Sequence, residues 1–89
     1  MNIKQKLNEV QRELSDNQIE ERKIVETLMF LMFGRESNEL PKKFKVECMM
    51  DNEGVETFLR EKVGLDVREV SLVPGSIIFG SPFFEVELN

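Results

Sequence analysis

The chain has 89 residues, a net charge of −5, 40% hydrophobic and 33% charged residues, one Cys and no His. That length allows one domain with a modest core, and the composition excludes a disordered polar chain. A single thiol excludes an intrachain disulfide, and the absence of His removes the commonest general base and neutral metal ligand.

The first predicted element is helical. Ile3, Leu7, Val10 and Leu14 recur at steps of four, three and four. The frame passes through polar Asn17 and Glu21 and returns at Ile24, Leu28 and Leu31, which is a heptad seam with an interruption. One reading is a single long helix over 2–33. The other is a short helix at 2–14, a break, and a second helix at 17–33, because Ser15 and Gln18 have capping-box spacing. The long helix is preferred because neither Gly nor Pro marks a reversal. Gly34 supplies its stop. The end of this helix, "TLMFLMFG", is apolar all round, so it needs cover on two sides. The expectation is that a sheet covers one side and a second copy the other, with Ile24, Leu28 and Leu31 as the dimerisation residues. The alternative is a monomer that packs this end centrally.

After the polar connector "RESNELPKK", the stretch "FKVECMM" alternates. Phe44, Val46, Cys48 and Met50 share one face, and Lys45, Glu47 and Met49 the other. "DNEG" turns into a helix with Asp51 or Asn52 as N-cap. Val55, Phe58, Leu59 and Val63 make its apolar stripe, and Gly64 ends it. Three strands follow: Val67–Val73, Ser76–Phe79 and Phe83–Leu88, with Pro74-Gly75 as a type II turn between the first two. The predicted class is α+β: one domain over 1–89, with a helical segment at 1–33 and a β-α-β-β-β unit at 42–89 carrying a small, mainly antiparallel sheet.

No chemistry-bearing motif appears. Cys48 falls on the inner face of its strand and reads as core filler. One thiol without His cannot build an ordinary structural zinc site. "DNEGVE" lacks the alternating oxygen ligands of a calcium loop, and "VPGSIIFGSP" lacks phosphate-loop spacing. The chain is therefore expected to be non-enzymatic, with no cofactor and no metal. "PKKFK" is a small basic patch diluted by nearby acids, so direct nucleic-acid binding is not expected. The start "MNIKQKLNEV" has no apolar signal-peptide core and no run is long enough to span a bilayer, which points to the cytoplasm and away from membranes.

What stands out is the placement of acids. Residues 1–33 carry five bases and six acids, whereas residues 34–89 carry seven bases and eleven acids, so most of the charge lies in the second half. Asp51, Glu53 and Glu56 gather at the start of the second predicted helix, and Glu85 and Glu87 point the same way from the last strand. Net charge of this size is ordinary solvation for a small domain. The sharper reading is a partner-binding face made of Asp51, Glu53, Glu56, Glu85 and Glu87, because separated charges on rigid elements can imitate a phosphate backbone. In size, acidity, lack of His and α-β-α-β-β-β order, the chain resembles small phage-encoded proteins that disable host factors. Some of these imitate DNA and block basic bacterial nucleoid proteins of the HU kind. The resemblance implies an inhibitor that occupies the nucleic-acid site of a basic nucleic-acid-binding protein, working in the host bacterial cytoplasm. The alternative is a structural adaptor that dimerises or binds a partner through its N-terminal amphipathic helix.

Overall fold

A computed structural model describes residues 2–34, 39–75 and 81–89. Two helices, α1 (Ile3–Glu13) and α2 (Ile19–Met32), are followed by strand β1 (Lys43–Glu47), helix α3 (Asn52–Thr57) and strands β2 (Val67–Leu72) and β3 (Phe83–Leu88). The class is α+β. The predicted strand at 76–79 lies outside the described residues.

The preferred single helix over 2–33 is corrected to a hairpin. Asn2 caps α1 by accepting the N–H of Gln5 at 2.8 Å. The chain then reverses over residues 14–18 without Gly or Pro. Polar side chains hold the reversal. Gln18 Oε1 accepts the N–H of Ser15 at 2.9 Å, and the Arg22 guanidinium donates to the carbonyl of Ser15 at 3.2 Å. Only the backward half of the Ser15/Gln18 capping box forms, and α2 begins just after Gln18.

Folding back settles what covers "TLMFLMFG". Leu28 and Met32 enter the core, while Met29 and Leu31 are partly buried against it. α1 lies along one side of α2, and the β1 side of the sheet along another. Ile24 and Leu28 are fully buried within the chain's own core. The expectation that they form a dimer seam is therefore corrected: their apolar surface is already spent on α1 and the sheet, and Leu31 is largely spent as well. Phe30 and Phe33 are the side chains left outside, 79% and 86% exposed.

The strand order is β1-β3-β2, antiparallel throughout, with an irregularity between Val67 and Glu69. Period-two alternation works as predicted. Phe44, Val46, Cys48, Phe84 and Val86 are buried beneath the helices, and Lys45, Glu47 and Met49 are exposed. α2 packs on β1 and α3 on β2, so the helices cover one face of the sheet and leave the other uncovered among the described residues.

Asp51 is the N-cap of α3 and accepts the N–H of Gly54 at 2.7 Å. α3 passes without a break into a π-helical turn at Phe58–Val63, which ends at Gly64 with φ +82°. The wider turn brings Phe58, Leu59 and Val63 into the core together. Gly75 has φ +77°, as a type II turn after Pro74 requires. Finally, the start of α1 and the end of β3 meet. Ile3, Leu65, Leu88 and Asn89 line one hollow of about 210 Å³, and the backbone N–H of Asn89 donates to the carbonyl of Asp66 at 3.0 Å.

Candidate binding site: an acidic groove beside α3

The five acids singled out from the sequence do not share one surface. Asp51 and Glu53 project from the first turn of α3. Glu56, one turn on, is partly buried and lies 3.7 Å from the guanidinium of Arg60. Glu85 and Glu87 lie on the central strand, on the sheet face opposite the helices. There the register sets Lys45 across from Glu85 and Lys43 across from Glu87. Directly opposed side chains on a sheet interact at close range, so each of these acids has a lysine for a neighbour. Glu87 has Glu69 on its other side, and Glu85 has Ser71. This face mixes both signs and does not present an uninterrupted row of negative charge.

The α3 acids have better company. The hairpin swings the start of α2 beside α3, and a groove of about 450 Å³ opens between them. Glu21, Asp51, Glu53 and Glu61 line it with one cation, Lys62, and with Met50 and Phe58 as its apolar lining. Glu21 and Glu61 were not among the residues selected from the sequence. Glu21 had been assigned to the seam of a long helix. An acid at a seam position was the available signal that the seam stops there.

Glu20, next to Glu21, ties this corner together. Its Oε1 accepts the N–H of Met49 at 2.6 Å and faces Lys23 Nζ at 3.4 Å. The backbone donor, helped by the ammonium, holds its carboxyl below the ordinary value of 4.5. Cys48 sits behind, fully buried. Burial, with the charge of Glu20 adding to it, pushes the thiol up to about 11, so it is protonated and unreactive near neutrality.

Searches against protein families, curated proteins and solved structures find no match to the chain. Among the described residues, no group of three or more His, Cys, Asp or Glu side chains is arranged to hold a metal ion. Among the same residues, no helix is long and apolar enough to cross a membrane.

What the groove can do follows from its charge and shape. Four carboxylates around one ammonium favour a cation, and an open trough with an apolar floor suits an extended side chain such as Lys or Arg, whose stem is apolar and whose head is charged.

Proposed function

We propose that this chain is a non-enzymatic binding domain that receives a basic segment of a protein partner in the groove between α2 and α3. The observation that carries the reading is the convergence of Glu21, Asp51, Glu53 and Glu61 on one trough from two separate elements. A narrower form makes the partner a basic nucleic-acid-binding protein whose DNA site is occupied. The lysines opposite Glu85 and Glu87 move the bet for that form from the sheet to the groove.

The test is titration with an arginine-rich peptide, followed by amide NMR. Shifts are expected at Glu21, Asp51, Glu53 and Thr57, and affinity should fall steeply as salt rises. Asp51→Asn with Glu53→Gln keeps a competent N-cap and removes two charges, and it should weaken binding about tenfold, roughly 1.4 kcal/mol. Shifts confined to the sheet face would overturn the groove assignment. The narrower form is tested by competition of the protein with labelled DNA for an HU-like protein. Simultaneous binding without mutual effect would exclude DNA mimicry.

The adaptor reading keeps one observation in its favour, the exposure of Phe30 on α2 and of Phe33 just past its end. Binding through those rings would be largely insensitive to salt.

A further inference from the structure

The two outer strands of the sheet end differently. Along β2, the chain's own side chains occupy the outward carbonyls. Asn52 Nδ2 donates to Val70 at 3.1 Å, and Arg60 Nη2 donates to Val67 at 2.8 Å. β1 has no such cover among the described residues. Its bonds to β3 alternate, with the carbonyl of Lys42 accepting from Leu88 and the N–H of Cys48 donating to Pro82. That phase turns the backbone groups of Lys43, Lys45 and Glu47 away from β3. The outward N–H of Met49, just past the strand, is held by Glu20. The open stretch is therefore Lys43–Glu47. Beside it, a hollow of about 360 Å³ lies between Glu47 and the Thr27–Phe30 side of α2.

Charge selects the occupant. Charged side chains on an edge strand ordinarily discourage pairing. Here, among antiparallel self-pairings centred within the strand, only one brings opposite charges together without opposing any like charges. Registers centred on Lys43 or Glu47 set like charges face to face, a register centred on Phe44 opposes Lys43 to Lys45, and one centred on Lys45 opposes that lysine to its own copy between two Lys43–Glu47 pairs. A register centred on Val46 sets Lys45 opposite the second copy's Glu47, and Glu47 opposite the second copy's Lys45. Lys43 then faces only Met49.

We propose that β1 is the seam of a two-fold homodimer, in which β1 strands pair antiparallel about Val46 and join the two sheets, each of three strands among the described residues, into one. Each Lys45–Glu47 pair exchanges both backbone hydrogen bonds and places opposite charges side by side on the outer face. Phe30, exposed and sharing the hollow beside Glu47, loses water against the second copy. This surface is separate from the acidic groove, so either can fail without the other.

The experiment is sedimentation velocity over a concentration series, read beside the exchange of individual amides. The wild type should self-associate in the micromolar range. The Lys45 and Glu47 amides should gain protection as protein concentration rises, while Val46, already bonded to β3, should not change. Lys45→Glu alone and Glu47→Lys alone each set like charges across the seam and should weaken association at least about tenfold. The double exchange, Lys45→Glu with Glu47→Lys, restores opposite charges and should restore the dimer. A wild type that stays monomeric at high micromolar concentration would overturn the proposal. So would association that ignores both single reversals, or that disappears with Phe33→Asp while the Lys45 and Glu47 amides stay unprotected. The amide measurement needs no variant, so a misfolded mutant does not stop the test.

Discussion

At Cys48 the chain places its only thiol between sheet and helices, where burial and the nearby charge of Glu20 outweigh Lys23 and disfavour the charged form. A thiol pushed up to about 11 reacts only when the surrounding structure opens. Labelling of the native protein by a disulfide reagent at neutral pH should therefore run orders of magnitude slower than in denaturant. A native rate equal to the denatured one would contradict the burial. Glu20 makes the complementary prediction for acid. Its folded-state pKa is depressed, so it contributes stability that is present above the ordinary glutamate range and lost as pH falls through the depressed value. Urea midpoints measured from pH 6 down to about 3 should show Glu20→Gln less stable than wild type at the upper end, with the gap closing toward the lower end. A gap that stays constant with pH would mean that the Met49 N–H bond does not depend on the carboxylate's charge.

Among the elements, the helical hairpin carries the main lesson. The alternation of β1 and β3, the Asp51 cap and the Gly64 stop were all legible, because each is a local rule met by local residues. The reversal at 14–18 was legible only as the alternative that the Ser15/Gln18 spacing offers, since its ties are long polar side chains that read as solvent-facing until the chain has turned. The same error hid the α2 wall of the groove, because Glu21 meets α3 only once α2 runs back. It also made Ile24 and Leu28 read as interface residues, although both are buried in the chain's own core. Leu28→Ala distinguishes the two placements. In the hairpin it opens a core cavity and should cost about 2–5 kcal/mol in stability, and among molecules that remain folded it should leave self-association as in the wild type. A variant with unchanged unfolding midpoint but lost association would return Leu28 to an interface.

Taken whole, the molecule keeps its surplus negative charge apart from its balanced charge. The groove side concentrates carboxylates near α3, whereas the sheet face sets lysines across from glutamates. A net charge of −5 conveys none of this, because the sum over residues says nothing about which of them become neighbours. Pairing in the sheet joins β1 to β3 across some forty intervening positions, and that long-range step decides which acids are compensated. Composition alone therefore gives the sign of the surplus charge and not its location.

The meeting of Ile3 with Leu88 and Asn89 in one hollow has a consequence for chain connectivity. The first helix and the last strand are spatial neighbours, so a short Gly/Ser bridge can close the polypeptide into a ring. Reopening that ring in the 14–18 turn moves α1 from the head of the chain to its tail, behind β3. Each helix and strand keeps its place, but the tether holding α1 to α2 is exchanged for one holding it to the sheet. Such a circular permutant separates two causes that the natural order combines: the hairpin's attachment, and the affinity of Leu7 and Val10 for the core they enter.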